Sequence, residues 1–247
     1  MTRVEFTNQK GKRLVGHLHG TLESCAVISC HGMFSNKDGE KHVLLGKILE
    51  RSNIPLLRFD FEGCGGSEGS LFDLSYSSRI EDLNAAISYL ATQGVERFAL
   101  FGSSMGGSIA LLAAARDERI VAIATLAAIA HVSAFLERHP EAILSWETLG
   151  VFQSPYGPIS EEFYNDAKTH DVLSAATIIR APVLVLHSVD DAVVPVMDAH
   201  DIASALRNVS LDIVDHAGHT FDHPTYLRPT MLQVADFLKN HLAFFIL

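Results

Sequence analysis

Short apolar, β-branched runs alternate along the chain with longer stretches whose apolar positions recur every three or four residues. The runs at 26–29, 55–59, 97–101, 121–126, 182–187 and 211–214 predict strands. Some are apolar throughout, as in Ala26-Val27-Ile28 and Val183-Leu184-Val185-Leu186, which is the pattern of strands covered on both faces. Two earlier segments, 4–6 and Arg13–His19, flank Gly11 and alternate more openly, so they predict an antiparallel hairpin at one sheet edge. Between the buried strands, 41–51, 78–91, 105–116, 196–206 and 230–242 predict helices. In 78–91, Ile80, Leu83, Ile87 and Leu90 make a stripe suited to packing on a sheet. Strand–helix alternation of this kind predicts an α/β fold, with a mostly parallel central sheet and helices on both faces. No internal repeat or low-complexity linker is visible, so a single domain over 1–247 is expected.

One stretch breaks the rhythm. From about 131 to 176 no strand is predicted, and helical fragments are interrupted by Pro140, Gly150, Pro155, Gly157 and Pro158. A structureless connection of that length is improbable in a compact domain, so an inserted helical lid is expected. It carries Phe135, Trp146, Phe152, Tyr156, Phe163 and Tyr164, including the chain's single tryptophan. These aromatics either glue a satellite to the core or line a pocket, and a cap over a site does both.

Composition narrows the function. Hydrophobic residues make up 48% of the 247 positions, enough for a sizeable core. The net charge is −10 and no basic run interrupts it, which argues against nucleic-acid binding. Cys25, Cys30 and Cys64 are too few and wrongly spaced for a disulfide framework. Residues 1–6 lack an apolar signal stretch, and the runs at 120–130 and 242–247 fall well short of the roughly 20 residues a membrane helix needs. A cytoplasmic chain without a membrane segment is expected. The apolar tail 242–247 either covers the core or forms a subunit contact, the second arrangement being that of a homodimer.

The chemistry centres on Phe98-Ala99-Leu100-Phe101-Gly102-Ser103-Ser104-Met105-Gly106-Gly107, an apolar strand running through Gly102-x-Ser104-x-Gly106 into a helix. A sharp strand-to-helix turn strains the central serine and requires small residues two positions to either side. The outer spacing of Gly102 and Gly107 also matches a phosphate loop, but Ser108 stands where that loop's lysine belongs.

A serine hydroxyl needs a base before it attacks. An acid and a histidine follow at the ends of later strands, in Asp190-Asp191-Ala192-Val193-Val194-Pro195 and in Asp215-His216-Ala217-Gly218-His219. With Ser104 as nucleophile, His219 is the candidate base and Asp191 its orienting acid. Asp190 adjoins Asp191, and His216 and His223 flank His219, so both assignments have rivals. The His216-x-x-His219-x-x-x-His223 spacing contains Gly218, is followed by Pro224 and has no helical HExxH pattern, so no metal is expected, and no cofactor. For the oxyanion, the backbone N–H of Met105 and that of Met33, in the loop Cys30-His31-Gly32-Met33-Phe34-Ser35-Asn36, are the candidate donors. His31 reads as a loop brace. Phe34, Trp146, Phe152 and Tyr156 are the candidates for lining a substrate pocket.

At these residues the chain resembles the α/β-hydrolase superfamily. The resemblance spans nearly the whole length, from His31-Gly32 through Gly102–Gly106 and Asp191 to His219, and includes Arg58-Phe59-Asp60-Phe61-Glu62-Gly63-Cys64-Gly65-Gly66-Ser67-Glu68-Gly69. Within the superfamily it is similar to small bacterial carboxylesterases of the cinnamoyl (feruloyl) esterase and serine-aminopeptidase-like group. His31-Gly32-Met33-Phe34-Ser35-Asn36-Lys37 and Asp191-Ala192-Val193-Val194-Pro195 are the phrases that carry this likeness. The resemblance implies an acid two residues before Val193, which is Asp191, and bracing roles for Asp60 and the 63–69 glycines. It departs from cinnamoyl esterases at Met33, where they tend to carry an aromatic residue, and at Met105, where they often carry glutamine. The expectation is a serine hydrolase cleaving small to moderate carboxylic esters through an acyl-enzyme. An aminopeptidase or amidase, a thioesterase, and a catalytically silent binding module are the rivals. An amine anchor for the peptidase reading would come from Glu141, Glu147, Glu161 or Glu162.

Overall fold

The computed structural model describes residues 1–245. Its first two strands, β1 (Thr2–Thr7) and β2 (Arg13–His19), pair antiparallel with Thr2 opposite Leu18 and Thr7 opposite Arg13. This is the edge hairpin expected from the open alternation around Gly11. β2 lies antiparallel to β4 (Leu56–Phe59), and from there the sheet is parallel. β3 (Cys25–Cys30), β5 (Arg97–Ser103), β6 (Ile120–Leu126), β9 (Val183–Ser188) and β10 (Val209–Val214) follow, giving the order β1-β2-β4-β3-β5-β6-β9-β10. The chain therefore carries a mostly parallel α/β sheet, as its sequence pattern predicts.

The period of two along each strand separates two cores. Ala26 and Ile28 of β3, with Phe98 and Leu100 of β5, face one side, where α2 (Tyr76–Thr92) and α3 (Met105–Ala114) pack. Cys25, Val27, Ala99 and Phe101 face the other, beneath α1 (Glu40–Glu50) and α9 (Pro224–Leu242). The remaining crossover helix, α8 (Val196–Ala205), joins β9 to β10 and packs through Ala199 and Ile202 on the α2 side. No helix among the described residues is long and apolar enough to cross a membrane.

Two expectations about elements need correction. α9 begins at Pro224, six residues before the predicted start, and runs through Pro229. Pro224 occupies the first helical turn, where its missing N–H costs nothing, and His223 caps the end by accepting from Thr225 N–H at 3.3 Å. Leu227 then extends the buried stripe of Met231, Val234 and Leu238, offsetting the one bond lost at Pro229.

The insert between β6 and β9 holds strands. After α4 (Val132–Glu137) and α5 (Pro140–Leu149) come β7 (Val151–Ser154) and β8 (Gly157–Ser160), followed by α6 (Glu161–Ala167) and α7 (Val172–Ile178). β7 and β8 form a two-stranded hairpin of their own, turning at Pro155-Tyr156. Pro158 is tolerated because a two-stranded ribbon leaves each strand an unpaired edge. Trp146 of α5 fastens the hairpin by donating its indole N–H to the Ile159 carbonyl at 3.0 Å.

Of the apolar tail, Leu242 is fully buried in the α9 core and the Phe245 carbonyl accepts from Ser24 Oγ at 2.6 Å. Ile246 and Leu247 lie outside the described residues.

Candidate active site

Ser104, Asp191, His219 and the 31–36 loop all emerge at the carboxyl ends of parallel strands, the end where open α/β sheets hold ligands. Ser104 joins β5 to α3 with φ 54° and ψ −127°, a left-handed-side conformation that costs a non-glycine residue about 1–3 kcal/mol. The glycines around it explain how the strain is held. A Cβ on Gly102 would strike the Gly106 carbonyl across the turn, and one on Gly106 would strike the Cys30 and His31 carbonyls. The first glycine thus permits the turn itself. The second lets the 31–36 loop lie against it.

His219 joins the other two groups. Its Nε2 lies 3.1 Å from Ser104 Oγ and its Nδ1 lies 2.7 Å from Asp191 Oδ2. The other carboxylate oxygen, Oδ1, accepts the N–H groups of Val193 at 2.8 Å and Val194 at 2.9 Å. His187 adds a partner that sequence reasoning missed: its Nε2 lies 3.2 Å from Asp191 Oδ2 and 2.9 Å from the Val194 carbonyl. Burial of the Asp191 side chain pushes its pKa up. The hydrogen bonds from His187, His219 and Val194 outweigh that and hold it well below the usual carboxylate range. The signal for His187 was a histidine closing the apolar run of β9, where it is 1% exposed.

Asp190 points elsewhere. Its Oδ1 accepts from Ser188 Oγ at 2.5 Å and from Gly218 N–H at 3.2 Å, while Ser188 Oγ accepts from Ala217 N–H at 3.0 Å. Asp190 and Ser188 therefore brace the loop that carries His219. The neighbouring histidines diverge from it: His216 sits in a left-handed turn at φ 59°, and His223 caps α9.

The 31–36 loop is fixed through His31. Phe61 N–H donates to His31 Nε2 at 3.2 Å, so Nδ1 carries the proton and donates to the Gly32 carbonyl at 2.7 Å. Burial lowers the His31 pKa to about 4, which keeps this brace neutral. Ser35 N–H also donates to the Gly32 carbonyl, at 3.3 Å. Because a trans peptide sets its C=O and N–H on opposite edges, Met33 N–H faces away from His31. Gly32 itself lies against Ser104, since a Cβ there would sit 3.4 Å from the serine Cβ. Met105 N–H, at the first position of α3, is one of the helix's unpaired donors.

Asp60 supports the loop from below, accepting from Lys37 N–H at 2.7 Å, Lys37 Nζ at 3.0 Å and Gly66 N–H at 2.8 Å. A Cβ on Gly65, at φ 51°, would collide with this carboxylate.

An apolar cavity of about 160 Å³ opens between the loop and the insert. Met33, Phe34, Phe135, Trp146, Phe152 and Phe163 contribute to its wall, with Glu141 at its rim. Tyr156 stands outside the wall and stacks on Phe34, with ring centroids 4.6 Å apart. Trp146 is buried among Phe152, Phe163 and Tyr164, so its indole belongs to the insert's core as well as to the cavity wall. Glu147, Glu161 and Glu162 are exposed.

Residues 76–244 match the prolyl oligopeptidase family. The chain belongs to that family. This member of the prolyl oligopeptidase family is 27% identical over 252 residues to the mitochondrial palmitoyl-protein thioesterase ABHD10 of Rattus norvegicus, covering 97% of this chain and 82% of the relative. Among solved structures, Est1E from Butyrivibrio proteoclasticus with ferulic acid bound superimposes with a TM-score of 0.86 at 22% identity, covering 97% of this chain and 99% of that one. Alpha/beta hydrolase domain-containing protein 10 from mouse gives 0.82 at 22% identity, with the same coverage. The fold is that of the α/β hydrolases.

Proposed function

We propose that this chain is a serine hydrolase that cleaves carboxylic esters through an acyl-enzyme. The observation that carries the reading is the continuous hydrogen-bonded line from Ser104 Oγ through His219 to Asp191. Ser104 Oγ attacks the ester carbonyl while His219 Nε2 takes its proton, and the electron pair moves onto the carbonyl oxygen. Met33 and Met105 N–H groups receive that oxyanion. Collapse of the tetrahedral intermediate expels the alcohol, which leaves with the proton from His219. Water then repeats the sequence on the acyl-enzyme, and His219 returns the proton to Ser104. Asp191, held ionised by its donors, keeps the Nδ1–H tautomer and stabilises the imidazolium. No step uses a metal or cofactor.

The substrate is a small-molecule ester. A dry cavity of roughly 150 Å³ takes one benzene-sized group, so the 160 Å³ aromatic pocket suits a single ring or a short acyl chain. The insert acts as the lid that closes over it. Labelling by a fluorophosphonate probe, followed by peptide mapping, tests the nucleophile: modification is expected at Ser104 and lost in Ser104→Ala. Labelling that survives the substitution overturns the mechanism.

A thioester is the second reading. It is favoured by the palmitoyl-protein thioesterase relative, whose similarity runs over 97% of this chain. The same machinery serves both, since the oxyanion and the acyl-enzyme are common to the two. Matched oxygen esters, thioesters and amides of one acyl group separate the readings. A sixteen-carbon chain exceeds the cavity, so short acyl groups are expected to be turned over faster than palmitoyl.

A further inference from the structure

Lys41 is the second residue of α1, and its ammonium donates to Ser103 Oγ at 3.2 Å. Ser103 is buried at the end of β5 and immediately precedes the strained Ser104. Lys37, four residues earlier, is neutralised by Asp38 at 2.8 Å and Asp60 at 3.0 Å. Lys41 has no such ion pair among the described residues. The groups that face it come from four elements. Asp191 and Asp222 attract it from the loops after β9 and β10, Ser103 accepts its hydrogen bond from β5, and His42 lies beside it on α1. His42 is fully buried, bonded to Ser29 Oγ at 2.6 Å and held neutral by desolvation. Burial likewise lowers the Lys41 pKa, to about 8. A half-buried ammonium with no carboxylate in ion-pair contact is costly to keep, and this one donates to the residue that precedes Ser104.

We propose that Lys41 is a positioning residue: its bond to Ser103 fixes the strand end that carries Ser104, and its charge opposes protonation of the Asp191–His219 pair. The inference rests on the serine-hydrolase reading. A positive charge behind an acid–base pair favours the pair's deprotonated state, so the base stays competent at lower pH. It also favours negative charge developing at Ser104.

The test is the pH profile of fluorophosphonate labelling at Ser104, with folding checked by circular dichroism. Lys41→Met and Lys41→Gln are each expected to move the acid limb of the profile upward by about half a unit. Lys41→Arg keeps the limb in place. Ser103→Ala is expected to lower the rate roughly tenfold through the lost hydrogen bond while leaving the limb unmoved. An acid limb that does not move in folded Lys41→Met or Lys41→Gln overturns the inference while Ser104 labelling leaves the hydrolase reading standing. Absence of labelling in the unsubstituted protein overturns both. Should neither neutral variant fold, Ser103→Ala still decides: a labelling rate equal to wild type in that folded variant overturns the inference.

Discussion

His187 and His219 share one oxygen of Asp191. Both approach Oδ2, at 3.2 Å from His187 Nε2 and 2.7 Å from His219 Nδ1, while Oδ1 is occupied by two backbone donors. The carboxylate is therefore held from four directions and has no freedom to turn away from His219. Such a carboxylate resists protonation, which is why its pKa falls despite complete side-chain burial. The sign follows: stability from this ionisation is present above the ordinary aspartate value near 4 and is lost as pH falls through the lowered one.

His187→Phe keeps the ring volume and removes the Nε2–H. Asp191 then keeps His219 and the Val193 and Val194 amides, so the fold is expected to survive with a loss of roughly 1–3 kcal/mol. Turnover is expected to drop about tenfold, because Asp191 gains room to tilt. Thermal unfolding and kcat/KM on one ester check this. A variant as active as wild type would show that the two backbone donors suffice.

The adjacent aspartates should behave very differently. Asp191→Asn presents the wrong group to Nδ1 and is expected to cost about 10⁴-fold in kcat. Asp190→Asn leaves the Ser104–His219–Asp191 line intact and removes only the charge from a loop brace. Its expected loss is within tenfold, with a slightly lower Tm. Comparable losses in the two variants would sink the assignment.

Much of this was legible in the chain, and the reasons are physical. Strands covered on both faces read as unbroken apolar runs, so the parallel sheet was visible, and the edge hairpin showed in its more open alternation. The strained turn at Ser104 announces itself because few sequences place Gly102 and Gly106 around a serine between an apolar strand and a helix. The β7–β8 hairpin was hidden because Pro155, Gly157 and Pro158, read as breakers, are tolerated in a two-stranded ribbon whose edges lie open. Asp190 and Asp191 are equal as sequence. What separates them is direction: one side chain meets Gly218 and Ser188, the other His219. His187 and Lys41 were silent for a related reason, since their partners lie in other loops and strands.

Selectivity should reside in Phe34 and Phe152 rather than Trp146. Trp146 is 3% exposed and holds Ile159, so Trp146→Ala is expected to cost about 3–5 kcal/mol and to unsettle the whole insert. Phe34 is 43% exposed, and its loss along with the Tyr156 stack leaves the core untouched. Phe34→Ala and Phe152→Ala are expected to raise relative activity on bulkier acyl groups with little change on acetyl esters. An unchanged ranking across an acyl-length panel would remove the cavity from substrate selection.

Asp166 fastens the insert to the sheet layer and sets a pH at which that hold fails. It lies at the end of α6 and accepts from Ser77 N–H at 3.0 Å and from Ser77 Oγ at 2.5 Å, at the amino end of α2. His170 Nε2 stands 3.4 Å from the same carboxylate and 3.1 Å from the same hydroxyl, and Tyr76 stacks against Phe163. Burial raises the Asp166 pKa, but the bonds from His170 and Ser77 and the charge of His170 bring it down to about 2. Its folded value therefore lies below the unfolded one near 3.8. The stabilisation is complete above about pH 4 and is lost progressively as pH falls toward 2. Asp166→Asn should remove roughly 1–2 kcal/mol at neutral pH, after allowance for solvent screening, and flatten the acid dependence. Hydrogen exchange resolves where the loss falls: amides of α6 and α7 are expected to exchange faster in the variant while those of β5 and β6 do not. Equal acceleration in the central strands would mean that Asp166 stabilises the whole domain and does not fasten the insert.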